Sequence, residues 1–555
     1  MSKFNKQIAS IVSDKISKEY KNNKSLISAL HVLLNGNYKK YDIDENFISS
    51  DQLNDENFQK VLSHINEKSS VQKKNGVYYT PNDVTEYIIA NTLFNYIDIK
   101  YSKTKNYDDI NNCLKKLNKD DVNKILFDNK ILDPTCGSGE FLLSMVKIKI
   151  NVLTKNKIYN DENILKIANT IYGNDIDDES TDISKIRLFF YLIPQICEED
   201  NYLKLVNILN DNFTNYDFVC NSNKIKNRFD IIIGNPPYVE YGKFPKKKLL
   251  KNKYGNIYAD VIKNSLDLLN DGGTLGFIIP LSYISTSRMN RIRQYVIDNC
   301  SKELILSFAD RPDCLFSGVH QKLNIILLKK GKADRHDIYT SNYKHWYKEE
   351  RKQLLNGRDV VLCDKYYADF IPKIGNKIEK DIFKKTYTES HDNLFDIQND
   401  DGKELFLNMR LCFWVKAFDF NPGSNEYKIF KYDNNNYKYV LCLLNSSLFW
   451  IYWTIISDCW HITSKEIKHF KVKTITEKEQ QIFNKLYDKL SNKLEKTKKY
   501  VGTKQVEYEY KHKLCKDIID EIDTEIAKVY GFNVDELNYI KDFAFNYRSG
   551  GIDND

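Results

Sequence analysis

Asn235-Pro236-Pro237-Tyr238 directly follows the apolar run Phe229-Asp230-Ile231-Ile232-Ile233-Gly234. The run reads as a buried strand. Two prolines cannot continue a hydrogen-bonded ladder, so they hold a short stiff turn at the strand's carboxyl end. In an open α/β sheet that edge is where ligands bind. The turn offers an amide side chain, a proline carbonyl with no ladder partner and an aromatic ring. Those groups suit a planar base with an exocyclic amine: the Asn235 amide oxygen and the Pro236 carbonyl accept its two N–H bonds, and Tyr238 stacks on its face.

A second set of residues lies upstream. Ile131-Leu132-Asp133-Pro134-Thr135-Cys136-Gly137-Ser138-Gly139-Glu140-Phe141-Leu142 reads as strand, glycine loop and helix. Gly137 and Gly139 allow close backbone approach, and the helix start offers free N–H groups to a carboxylate. The spacing is not Gly-x-Gly-x-x-Gly, which disfavours a dinucleotide. Gly173-Asn174-Asp175-Ile176-Asp177 ends the next candidate strand. Asp175 there can take both hydroxyls of a ribose, and Ile176 can lie against an adenine. Leu209-Asn210-Asp211-Asn212-Phe213 offers a further carboxylate, Asp211, at an expected strand end.

These residues need a βαβ scaffold. Candidate strands are Lys130-Ile131-Leu132, Thr170 to Gly173, Phe229 to Ile233, Thr274 to Ile279 and Leu323 to Leu328, separated by helical patterns. The expected fold is an α/β doubly wound, Rossmann-like sheet. Four regions are expected: a helical N-terminal extension over 1–70, a catalytic domain over 71–332, a mixed α/β recognition region over 333–475 and C-terminal helices over 476–555. Asp433-Asn434-Asn435-Asn436 reads as a turn between two Tyr-rich strands. The aromatic segment Trp450-Ile451-Tyr452-Trp453 reads as core. His461 to His469 reads as a turn and helix start facing a polyanion, capped by Thr463 or Ser464.

The chain has 555 residues, 42% hydrophobic and 29% charged, which is globular rather than disordered. Its net charge of +7 permits a polyanionic partner without requiring one. The 11 cysteines show no Cys-x-x-Cys and no Cys/His cluster, so a reducing cytoplasm is expected and a metal site is not. No apolar run reaches the roughly 18 residues of a membrane span.

Taken in order, the motifs resemble class I S-adenosylmethionine-dependent amino-methyltransferases, specifically the gamma-class, TaqI-like DNA adenine-N6 enzymes. Asp133 to Leu142 matches their methionine-binding motif, including Pro134, Cys136, Gly137, Gly139 and Phe141. Asp175 and Ile176 match the ribose acid and its apolar neighbour, and Asp211 the acid facing adenine N6. Asn235, Pro236, Pro237 and Tyr238 match the catalytic motif. Gly76-Val77-Tyr78-Tyr79-Thr80-Pro81 matches the motif that closes over the cofactor, and its place ahead of Asp133 is the gamma order. Asn256-Ile257-Tyr258 departs from the family, which often has an acidic residue there.

The resemblance implies S-adenosyl-L-methionine as cofactor and double-stranded DNA as partner. It implies a flipped-out adenine as substrate, and a monomer on DNA that serves a restriction-modification system whose endonuclease is encoded separately. A nuclease domain is not expected before residue 70. Lys246, Lys247, Lys248, Lys251 and Lys253 follow the catalytic turn and are expected to hold DNA phosphates. Asn-Pro-Pro-Tyr also occurs in protein-glutamine and some RNA methyltransferases, and cytosine-N4 enzymes usually carry Ser in place of Asn. A non-catalytic DNA-binding specificity subunit is the competing reading of another class.

Overall fold

The computed structural model describes residues 11–12, 15–16, 19–20, 23–34, 80–97, 117–246, 248, 250, 254–316, 319–332, 335–502 and 507–550. A nine-stranded sheet runs through it: β1 (Ile131–Asp133), β2 (Ile171–Asn174), β3 (Phe213–Thr214), β4 (Phe229–Gly234), β5 (Leu269–Pro280), β6 (Cys300–Phe308), β7 (Leu323–Lys330), β8 (Asp337–Lys344) and β9 (Val361–Leu362). The strand order is 3-2-1-4-5-7-6-8-9. β1 to β5 pair in parallel where they are neighbours. β7 is inserted antiparallel between β5 and β6. The strand order reverses between the parallel neighbours β1 and β4, which places a crevice at their carboxyl ends, the switch point where such sheets bind ligands.

Among the flanking helices, α1 (Lys24–Leu33) packs on α7 (Asp200–Asn212), and α2 (Asn82–Tyr96) packs on β4, β5 and β7. α3 (Lys119–Leu126) and α5 (Asp161–Ala168) pack on α4 (Glu140–Lys155), and α4 with α6 (Asp178–Leu192) covers β2. α8 (Ile257–Leu268) and α9 (Asn290–Asn299) pack together beside β5 and β6. The approach of α2 to the sheet needs a glycine: a Cβ on Gly276 of β5 would stand 2.0 Å from Thr92 Oγ1. This seating brings the start of α2 to the β4 edge.

All five candidate strands form. β6 was not anticipated, and the sheet continues past Lys332 into β8 and β9, so the expected boundary at 332/333 falls inside one continuous sheet. Beyond it, β10 (Gln398–Asn408), β11 (Ala417–Phe418) and β12 (Tyr427–Tyr432) form a small antiparallel sheet. Asp433 does not start a turn between strands: it precedes α10 (Asn434–Asn445). α10 and α11 (Ser447–Ile456) are buried, with Trp450 and Trp453 each 1% exposed, which fits the core reading of that segment. α12 (Ser464–His469), α13 (Glu477–Thr497) and α14 (Lys516–Tyr530) follow, with an antiparallel pair of two-residue strands, Lys499–Tyr500 and Tyr508–Glu509, between the last two. Among the described residues no single helix is long and apolar enough to cross a membrane.

Candidate active site at the carboxyl edge of the sheet

β1 delivers Asp133 to the crevice, and the chain then turns through Gly137 to Gly139 into α4. Gly139 has φ +79°, and a Cβ there would lie 2.8 Å from Ser184 Oγ, so this turn needs glycine. The loop is braced from α6. Ser184 Oγ donates to the Gly137 carbonyl at 2.7 Å. Arg187 donates to the Ser138 carbonyl at 2.7 Å and pairs with Glu140 at 2.8 Å, both side chains being buried. Among the described residues a Cβ on Gly137 would meet nothing within 4 Å, so none of them fills that side of the loop.

Asp175 leaves the end of β2 and accepts from the N–H groups of Gly137 at 2.9 Å and Asp177 at 3.0 Å. Burial pushes its carboxyl up to about 6, against the lowering effect of those N–H bonds. Ile176 beside it is 63% exposed, an apolar surface at the crevice rim. Asp133 is 1% exposed and accepts from the Thr135 N–H at 3.1 Å. Burial pushes its carboxyl well above the usual range, and the Asp175 charge acts the same way. A Cβ on Gly234 would sit 2.7 Å from Asp133 Oδ1, so the acid of β1 lies directly against the last residue before Asn235.

At the end of β4, Asn235 Nδ2 donates to Thr80 Oγ1 at 3.0 Å, and the Tyr238 hydroxyl donates to Asn235 Oδ1. The amide is thus held between two hydroxyls. The Tyr238 hydroxyl is also 3.0 Å from the Ile278 carbonyl, and its ring meets the edge of Tyr258 at 6.5 Å. Asn256, the residue that departs from the resembled pattern, caps α8 by accepting from the Tyr258 N–H, and the Tyr258 hydroxyl reaches Ser282 Oγ at 2.7 Å. Its work is therefore local helix capping.

The structure thus brings Thr80, Asp133, Gly137, Gly139, Asp175, Ile176, Asn235 and Tyr238 to one edge. Phe141 is 3% exposed and Cys136 6% exposed, so both belong to the packing beneath the loop, where burial holds the Cys136 thiol well above its ordinary value. Pro134 is buried and Pro81 caps α2. Tyr78, Tyr79, Lys247, Lys251 and Lys253 lie outside the described residues. Asp211, expected at a strand end, stands instead in the last turn of α7, exposed, at the amino end of β3. The register Asn174↔Thr214 makes Asn215 the residue that leaves β3 at the crevice, and its Nδ2 donates to Thr181 Oγ1 at 2.7 Å. Lys246 pairs with Asp217 at 2.8 Å, while Lys248 is exposed.

Two residues with no assigned role in the sequence organise the edge. Asn174, fully buried, donates to the carbonyls of Pro134 and Tyr216 and accepts from Thr214 Oγ1 and the Tyr216 N–H, all within 3.0 Å. It ties the ends of β1, β2 and β3 together. Arg351 grips Asp83 in the first turn of α2 through two bonds of 2.6 and 3.0 Å and also donates to the Cys314 and Leu315 carbonyls. Thr80, which orients Asn235, sits three residues before Asp83. The pair is partly exposed, so it should contribute little to stability. Arg351→Ala should therefore keep the melting temperature within a few degrees, by that same argument, yet lower kcat about tenfold or more by loosening the Thr80–Asn235 contact. A paired thermal melt and single-turnover assay checks it; equal loss of stability and activity would remove the positioning role.

The nine-stranded sheet with its glycine loop and switch-point crevice is the class I methyltransferase fold expected from the sequence. Residues 169–314 match the family model of the Eco57I restriction-modification methylase. The chain is 24% identical over 358 residues to the Type II restriction enzyme and methyltransferase RM.Eco57I of Escherichia coli, spanning 55% of this chain and 34% of that protein. It is 28% identical over 334 residues to the Type II methyltransferase M.HincII of Haemophilus influenzae, spanning 53% of this chain and 61% of the relative. The chain therefore spans about a third to three-fifths of these relatives' lengths. Among solved structures, the Type IIL restriction-modification enzyme MmeI, in complex with DNA, superposes with a TM-score of 0.53 at 12% identity, covering 97% of this chain and 92% of that one. That likeness concerns the fold alone.

Proposed function

We propose that the chain is a site-specific DNA methyltransferase of a restriction-modification system, that it takes S-adenosyl-L-methionine, and that it methylates adenine N6 in a flipped-out base of double-stranded DNA. The observation that carries this is the Asn235 amide, held between Thr80 and the Tyr238 hydroxyl at the end of β4, on the sheet edge that carries the braced glycine loop. The match of residues 169–314 to a restriction-modification methylase supports it.

The residues present fit the cofactor. Among the described residues nothing crowds Gly137, Asp175 presents a carboxylate at the β2 end, and Ile176 supplies an exposed apolar face beside it. Asp175 would hold the ribose hydroxyls, Ile176 the adenine and the glycine loop the methionine end. When bound, the cofactor supplies a methyl group already activated on sulfur. This chain's part is then to orient a nitrogen in line with it.

Adenine N6 is a weak nucleophile because its lone pair is delocalised into the ring. Asn235 Oδ1 and the Pro236 carbonyl accept its two hydrogens, favour a more tetrahedral nitrogen and stabilise the positive charge that develops there. The Tyr238 hydroxyl must yield Asn235 Oδ1 to the incoming amine, and it keeps the Ile278 carbonyl as a partner while its ring stacks on the base. An amide cannot keep the N6 proton, so the proton leaves to water after transfer.

Lys246 and Lys248 stand on the segment after the turn. Changing both to Ala should weaken DNA binding and lower the magnitude of the log K against log salt slope by about 1 to 2, one phosphate contact each. An unchanged slope in a salt titration would return them to a solvated surface.

The function is tested by single-molecule sequencing of genomic DNA from a methylation-free bacterial host expressing this chain. N6-methyladenine in one short sequence context is expected. Transfer only to RNA or protein, or cofactor binding with no methylated product, would overturn the reading.

A further inference from the structure

β4 and β5 are parallel, and β5 and β6 both run antiparallel to β7, so β6 leaves the sheet at the same edge as the catalytic turn. The connection after β6 carries Arg311, and Lys322 stands just before β7. Both cations lie over the Trp460 ring, 5.5 and 4.3 Å from its centre. The next residue, His461, lines a cleft of about 590 Å³ together with Met409, Arg410, Asn425, Glu426, Lys428 and Ile462, with Thr463 at its end.

Backbone hydrogen bonds tie the cleft floor together. The Leu411 N–H donates to the Trp460 carbonyl and the Ile462 N–H to the Met409 carbonyl, both at 3.0 Å, and the Met409 N–H donates to the Glu426 carbonyl at 2.9 Å. Three chain segments are thereby tied into one platform. Asp458 accepts from the His461 ring Nδ1 at 2.9 Å, which leaves Nε2 turned away from it. Thr463 caps α12 in a reciprocal pair with Glu466. Arg410 is 59% exposed and reaches Glu426 at 3.2 Å, so its guanidinium is aimed rather than free.

Pockets for small molecules are mostly apolar with a few polar groups. This lining instead sets charged, amide and hydroxyl side chains beside Met409 and Ile462, on backbone held by the hydrogen bonds above. Such a set suits the edge of a base pair, where donors and acceptors alternate at fixed spacing. Its place next to Arg311 and Lys322, on the edge that carries Asn235, aligns it with the duplex that would deliver the target base.

We propose that this cleft reads the recognition sequence in the major groove, with Arg410 contacting a guanine through both O6 and N7 and Glu426 holding the guanidinium in the plane of the pair. The inference rests on the DNA methyltransferase reading above and deepens it by naming the specificity-determining side chain. Lys428, by contrast, serves phosphate.

The test compares methylated sequence contexts for the wild-type chain, Arg410→Ala, Arg410→Lys and Lys428→Ala in the methylation-free host, with rates on matched oligonucleotide duplexes. Arg410→Ala should relax discrimination at one G·C position by roughly ten- to a hundredfold. Arg410→Lys keeps the charge but loses the two-point contact, and should relax the same position. Lys428→Ala should slow all sequences alike. A wild-type context that both Arg410 variants retain, with unchanged ratios at every position, overturns the inference and leaves the methyltransferase reading standing. A soluble wild-type chain that methylates no DNA overturns both.

Discussion

Asn235→Ala should lower kcat about a hundred- to a thousandfold, the scale for deleting one preorganised polar group at a developing charge. Cofactor affinity should change by less than about threefold, well under 1 kcal/mol. The asymmetry follows from where the side chain points. Asn235 contacts Thr80 and Tyr238, whereas the glycine loop is held by Ser184 and Arg187 on another helix. Removing the amide therefore leaves the cofactor cradle in place. Asn235→Asp separates charge from geometry: it keeps an acceptor at the same reach but loses the N–H that Thr80 fixes. It should recover part of the rate lost in Asn235→Ala. Stopped-flow cofactor binding with single-turnover methyl transfer checks both variants. Turnover near wild type in Asn235→Ala would remove the residue from the chemistry.

β1, β4 and their turns were legible because an apolar run ending in Gly or Pro leaves few alternatives. Asp211 was misplaced because Leu205, Val206 and Leu209 are the buried stripe of α7, and β3 that follows is two residues long. Such a run can be read either as strand or as helix. β6 was missed because Lys302 and Glu303 interrupt its apolar pattern. The structure buries Glu303 against the Tyr283 hydroxyl at 2.7 Å, a partner twenty residues away. The braces are harder still. Arg187 acts on Ser138 and Glu140, and Arg351 on Asp83, through contacts with no local signature. Motifs identify the groups facing the crevice; the residues that aim them belong to tertiary structure.

Asp175 gives the second large effect, and it is one of affinity. Asp175→Ala should weaken S-adenosylmethionine binding about ten- to a hundredfold, since hydrogen bonds to a charged acceptor carry about 1.5–3 kcal/mol. Asp175→Asn, which accepts through one oxygen only, should fall between. The pH dependence has a definite sign. Burial raises this carboxyl to about 6 in the free protein. The ionised form is the one that accepts from both ribose hydroxyls, so binding is at full strength above pH 6 and must expel a proton below it. Affinity should therefore fall as pH drops through about 6, at most tenfold per pH unit for a single group. Asp133 and Asp177 stand nearby, and the Asp133 carboxyl is itself pushed up by burial and by the Asp175 charge, so loss of that charge lowers the demand on Asp133. Calorimetric titration from pH 5 to 8 should give a sloping profile for the wild type and a flatter, weaker one for Asp175→Asn. Parallel profiles would mean that the proton is taken up elsewhere and that Asp175 does not meet the ribose.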